Sequence, residues 1–187
     1  MIVTTLVLLL AAAWLASLPR LHEWAAPAAV VAAAVAGTTL PDLDLFLPIG
    51  HRSGLTHSVL PVAVLACWRR GWPAAAGLAL GIGVHLTADS FPHAMRGYAL
   101  VKLPGLHGIT RWESYGWLAA NAAAAFVAGW WLARRAVPSH LTAAVLAAVA
   151  VAAITYLLKT DGGWWALALL GVPVWLRLRP YRRRSSS

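Results

Sequence analysis

Seven apolar segments, at roughly 2–18, 25–40, 55–68, 73–91, 115–133, 140–158 and 163–176, take up most of this chain and leave only short polar connections. Such a sequence has little choice of fold. Only 11% of the 187 residues are charged and 60% are hydrophobic, whereas a soluble domain carries about 25% charged residues. Mean hydropathy is +0.70. These values predict an all-α, polytopic transmembrane helical bundle of about seven spans. It forms one domain over 1–176, with a basic cytoplasmic tail at 177–187. A perpendicular crossing needs about 20 residues. The second, third and seventh segments fall short of that. The second and third border the most polar stretch of the chain, so a recess between them is expected. The segments are rich in Ala and Gly, which lets backbones approach where lipid supplies no hydrophobic drive for association.

A net charge of +9 and a pI near 11.1 would suggest a nucleic-acid partner in a soluble protein. Here the basic residues flank apolar segments, so membrane lipids are the expected partner and direct nucleic-acid binding is not. With seven crossings, Arg20, Arg69, Arg70, Arg134, Arg135, Arg177, Arg179, Arg182, Arg183 and Arg184 share one face. Arg52, Arg96, Lys102, Arg111 and Lys159 share the other. The richer face is cytoplasmic by the positive-inside rule. The amino terminus is then outside and the carboxyl terminus cytoplasmic. The first segment has no basic leader and is followed by Arg20, so it reads as a retained helix rather than a cleaved signal. The single cysteine, Cys67, excludes an intramolecular disulfide.

Acidic and imidazole residues are unevenly placed against this background. Of six acidic residues, Asp42, Asp44 and Asp89 lie in short stretches that also hold His51, His57 and His85. The stretches read Leu-Pro-Asp-Leu-Asp at 40–44, His-Arg-Ser-Gly-Leu-Thr-His-Ser at 51–58 and His-Leu-Thr-Ala-Asp at 85–89. A carboxylate within a bilayer costs about 2.5–3.5 kcal/mol on insertion scales, and a bound cation offsets that cost. On the seven-span reading all six residues fall on the outer face.

His85 and Asp89 are one helical turn apart and share a face. Pro41 ends the second segment near Leu40, and in an extended stretch Asp42 and Asp44 point the same way. Gly50 and Gly54 let the loop fold back and return His51 and His57 to the aspartates. Mixed His and Asp donors suit zinc, manganese or iron, and carboxylate-rich sets accept magnesium. The expected metal ligands are Asp42, Asp44, His57, His85 and Asp89, on a divalent ion, with zinc or manganese foremost. The six residues exceed the needs of one four-coordinate ion. Two ions, or one ion with an acid–base pair, would use them. A bound metal lowers the pKa of its water and supplies hydroxide. The expected catalytic residues are His51 and Arg52. His51 serves as ligand or general base, and Arg52 grips an anionic substrate group. Thr56 and Ser58 orient ligands.

Bland roles compete with these. Asp42 and Asp44 also suit helix ends, His51 and Arg52 an exposed loop, and His85 with Asp89 a buried hydrogen-bonded pair. His93 and His107 read as solvent-facing; His22, Glu23 and His140 as interfacial. Glu113 reads as an arginine partner or an acid for the recess, and Asn121 as a site contact or a bridge between helices. The arginines at 182–184 read as lipid anchors.

In these stretches the chain resembles the YdjM-like family of membrane-bound, predicted metal-dependent hydrolases, also described as LexA-binding inner-membrane proteins. The family pattern is Leu-Pro-Asp-aliphatic-Asp, then His-Arg-Gly-x-Thr-His-Ser, then His-x-x-x-Asp on a helix with a following Pro…Gly…Pro loop. Here these are 40–44, 51–58, 85–89 and the loop of Pro92, Gly97 and Pro104. The resemblance covers about residues 35–105. It implies metal-dependent hydrolysis in a bacterial inner membrane. Three features depart from the pattern. Leu45 stands where the family commonly has histidine, Ser53 and Gly54 lengthen the second stretch by one residue, and 1–5 holds no histidine. One metal rather than two, or a member without catalysis, would fit the reduced set.

The expected function is hydrolysis of a lipid-associated or phosphorylated substrate at a metal in an outward-facing recess. The alternative is a non-enzymatic membrane subunit or scaffold with a protein partner in the membrane and a structural Asp/His cluster. An ion or proton pathway ranks last, because no polar trail continues below His85.

Overall fold

The computed structural model describes residues 2–18, 23–92, 95–104 and 108–178, with side chains for all of these except 173, 174 and 176–178. Arg20, His22, His93, His107, the side chain of Arg177 and the arginines at 179 and 182–184 lie outside the described residues. Among the described residues, seven α-helices fall on the seven apolar segments: α1 Ile2–Ser17, α2 Ala25–Gly37, α3 Leu60–Ala66, α4 Trp72–Asp89, α5 Arg111–Ala136, α6 Ser139–Leu157 and α7 Gly163–Leu178. Short 3-10 turns occupy Pro41–Phe46, Arg69–Gly71 and Gly97–Ala99. Among the described residues there is no strand, only isolated bridges of Lys102 with Ser53 and Gly108.

The helices alternate in direction. The ends of α1 and α5 meet the beginnings of α2, α4 and α6 around one cavity bordered by Ser17, Ala25, Arg69, Trp72, Arg135 and Pro138. At the opposite end the last turn of α4 meets the residues that follow α2, the last turn of α6 and the turn before α7.

α4 is the axis of the bundle. All its residues from Ala74 to Ala88 are buried, chiefly against α2 and α5. Small residues make this possible. A Cβ at Gly77 would overlap the Val30 carbonyl, and one at Gly81 the Ala34 carbonyl. A Cβ at Gly37 would stand 2.7 Å from the Leu78 carbonyl. α2 and α4 therefore touch backbone to backbone, as the Ala/Gly composition predicts. On its other side α4 meets α5, where Gly83 seats Phe126 and Gly129 seats Leu80.

α5 and α6, of 26 and 19 residues, are long and apolar enough to cross a membrane, while α1, α2 and Gly163–Val172 are apolar but shorter. The third segment departs most from expectation. Its helix has seven residues, about 10 Å of rise, too little to cross. Pro61 sits in the first turn of α3, where its missing N–H has no helical acceptor in any case. The residues before it turn back towards Asp44 instead. Glu113 also departs. It closes a capping box with Thr110 at the start of α5, so it serves its own helix rather than an arginine or the recess.

Candidate metal centre

Pro41 opens a 3-10 turn, not the extended stretch expected from sequence. With three residues per turn, Asp42 and Asp44 point about 120° apart, and the two carboxylates take different roles. Asp42 faces α4. Asp44 faces the returning loop and is fully buried. Its Oδ1 accepts from His51 Nδ1 at 3.1 Å. Its Oδ2 accepts from the Ser53 amide and the Thr56 hydroxyl, both at 2.9 Å, and lies 3.2 Å from His57 Nδ1. Burial acts to raise the Asp44 carboxyl, but the bonds from His51, His57 and Ser53 prevail and hold it well below the usual carboxylate range.

Those bonds decide what His57 offers. Its Nδ1 faces Asp44 and its Nε2 faces Asp89; with the proton on Nδ1, Nε2 is a lone-pair donor. The same logic holds for His85. Its Nδ1 lies 2.9 Å from the Thr38 carbonyl, which only accepts, so Nε2 is again the free nitrogen. The Tyr156 hydroxyl also lies 2.8 Å from His85 Nδ1. α4 lines up Gly77, Gly81, His85 and Asp89 at four-residue intervals along one face. The two glycines let α2 come close enough for Thr38 to reach His85.

The free atoms converge. His57 Nε2 is 3.3 Å from Asp89 Oδ2, and His85 Nε2 is 3.5 Å from the same oxygen and 3.7 Å from Asp42 Oδ1. Ligand atoms of Asp42, His57 and His85 all lie within 4.8 Å of one another. His57 Nε2, His85 Nε2 and Asp89 Oδ2 are buried without a hydrogen-bond partner among the described residues. Unmade bonds on buried polar atoms are costly, and with both imidazoles neutral at Nε2 their lone pairs face those of the carboxylate. A cation at their centre removes both penalties. Donors around a tetrahedral ion at about 2.0–2.2 Å stand about 3.3–3.6 Å apart, which is close to the spacings found. Asp42, His57 and His85 can hold a metal ion, and Asp89 is placed to complete the set.

The remaining expected residues support the cluster from outside. Arg52 does not face open space as a substrate grip would. Its guanidinium donates to Asp89 Oδ1 at 3.0 Å and to the Ala99 carbonyl at 2.9 Å. Fixing Oδ1 in this way leaves Oδ2 for the centre. Arg52 adopts φ +58°, a left-handed conformation that costs a non-glycine residue about 1–2 kcal/mol. His51 stacks on Tyr98 with ring centroids 4.4 Å apart and keeps partial exposure. Paired to Asp44, it is held at the rim of the cluster rather than among the converging atoms. Thr56 orients Asp44 as expected, whereas Ser58 bonds the Leu55 carbonyl in its own turn. Asn121 bridges helices, accepting from the Val59 amide at the start of α3 and donating to the Trp117 carbonyl on α5. His140 and Glu23 are exposed and 3.8 Å apart.

Sequence reasoning passed over Tyr156 and gave Lys102 only a place on the outer face. A lone phenol near the end of an otherwise apolar α6 was the available signal for the first. Lys102 clamps the loop over the site, donating to the carbonyls of His51, Tyr98 and Leu100 at 2.6, 3.2 and 3.1 Å. Nothing in its sequence neighbourhood announces that. Comparisons of the chain with protein-family models, curated proteins and solved structures give no match.

Proposed function

We propose that this chain is a multi-pass membrane protein of the YdjM-like type that holds one divalent ion, zinc or manganese, and uses it to hydrolyse a lipid-associated or phosphorylated substrate. The observation that carries the reading is the convergence of His57 Nε2, His85 Nε2 and Asp89 Oδ2 as buried atoms without hydrogen bonds, with Asp42 beside them. When bound, such an ion supplies a Lewis acid and an activated water. The chain supplies the rest. Asp42 remains about a quarter exposed, so the centre has an open side. His51, oriented by Asp44 at the rim, is placed to take a proton as general base. Arg52 and Asp44 act as positioning residues.

Membrane residence is supported by the length of α5 and α6, by the alternation of the helices and by the arginines gathered at one end. The richer basic end is read as cytoplasmic, within a bacterial inner membrane, with the metal centre facing outwards.

The test is metal analysis of purified protein beside an Asp42→Ala/His85→Ala double variant, followed by hydrolysis of aryl phosphomonoester and phosphodiester probes. The wild type should retain about one equivalent of metal and the variant none. Negligible metal in both would end the reading. A second reading, a non-enzymatic subunit whose ion only ties α2 and α4 together, is favoured by one observation. Four protein donors already complete a structural tetrahedron. Full metal occupancy, no hydrolysis of any probe and no effect of His51→Ala would select it.

A further inference from the structure

We infer that the cavity at the arginine end of the bundle is a binding site for a phosphate-bearing anion. It lies at the opposite end of α4 from the metal centre and shares no residue with it. Its volume is about 1090 Å³, and Arg69, Arg70 and Arg135 border it. None of these guanidiniums has a carboxylate partner among the described residues. Glu23, also at the edge, is exposed and lies 3.8 Å from His140.

Arg69 and Arg135 are held in place without being neutralised. Arg69 lies over the Trp72 ring at 5.3 Å, Trp72 meets Trp131 at 5.6 Å, and Arg135 lies over Trp131 at 3.9 Å. A guanidinium seated on an indole face keeps its N–H edge free to donate. Its planar fork matches two phosphate oxygens better than any neutral ligand. The helix ends add potential of the same sign. α2, α4 and α6 all begin here, and none has a side-chain cap. The first N–H groups of α2 and α6 therefore point positive charge at the cavity, whereas in α4 the Trp72 N–H bonds the Arg69 carbonyl and Pro73 has none.

Two sources present this chemistry, the headgroup of an anionic phospholipid and a soluble phosphate. The lipid source rests on the membrane reading above, whereas the anion site itself does not. The full chain is purified in a neutral detergent. Its thermal unfolding and its bound mass by native mass spectrometry are followed with short-chain phosphatidylglycerol, with phosphatidylcholine and with inorganic phosphate. Phosphatidylglycerol should raise the melting temperature and remain bound, and phosphatidylcholine should do neither. An Arg69→Gln/Arg70→Gln/Arg135→Gln variant should bind at least about tenfold more weakly while keeping its metal content. Arg135→Gln alone, if the triple variant fails to fold, should show a smaller loss of the same sign. A response to inorganic phosphate as large as that to phosphatidylglycerol supports the site and assigns it to a soluble ligand. Equal responses to the anionic and neutral lipids, or a response unchanged by the arginine substitutions, would overturn the proposal.

Discussion

His57 shows how completely one side chain is specified at this site. Its ring is buried, its Nδ1 proton faces Asp44, its carbonyl accepts from the Trp117 indole at 2.8 Å, and its Nε2 points at Asp89. Only Nε2 is left to act. Asp44→Asn should therefore keep the ligand set but weaken metal binding by about 10–100-fold, measured by competition with a chelating dye. An unchanged affinity would show that Asp44 does not orient His57. The same substitution has a pH signature in the metal-free protein. A carboxyl held low in the native state contributes stability above the unfolded aspartate value, and that contribution is lost as pH falls towards the native one. Wild type should lose stability more steeply than the variant on acidification below about pH 4. Tyr156→Phe removes one hydroxyl beside His85 and should cost about 0.5–1.5 kcal/mol of stability, read by denaturant titration, with metal stoichiometry retained. The residue types of the centre were legible because carboxylates and imidazoles stand out in so apolar a chain. Their division of labour was not. Whether Asp42 and Asp44 point together depends on an extended stretch or a 3-10 turn, and local sequence around Pro41 permits either.

Packing of α2 on α4 is set by main chain rather than by side-chain volume. Gly81→Val should lower stability by about 1–3 kcal/mol through overpacking and weaken metal binding as well, because His85 is the next residue on that face. Gly116→Ala is the matched control. Its Cβ would meet nothing, so it should be neutral or stabilising by up to about 1 kcal/mol, with full metal content. Thermal unfolding with and without chelator measures both, and equal behaviour of the two variants would contradict the close-packing account. Six of the seven helices could be placed from apolar runs alone. The start of α3 could not, because the third run was taken from Leu55, whereas 56–58 are polar and bonds from Thr56 to Asp44 and from Val59 to Asn121 hold the stretch outside the helix.

The bundle as a whole is polarised, with an acidic and imidazole cluster at one end and, at the other, arginines without a carboxylate partner among the described residues. In a Cys67→Ser background, Leu47→Cys and Ser139→Cys occupy exposed positions at opposite ends. A membrane-impermeant thiol reagent should label the first in right-side-out vesicles and the second only in inverted ones. Labelling of both from one side would refute the multi-pass reading. Charge bias in the sequence pointed to this polarity, but the placing of Arg69 and Arg135 on one cavity could not be read from it, since they are 66 positions apart in the chain. The line of glycines leading to His85 has one more implication. Two main chains already in contact can neither squeeze closer nor swell apart without losing the bond from His85 to Thr38. That contact fixes His85 beneath the opening to Asp42. An ion seated there would meet two imidazoles and two carboxylates, a donor set unlike the six to eight oxygens that calcium takes at about 2.3–2.6 Å.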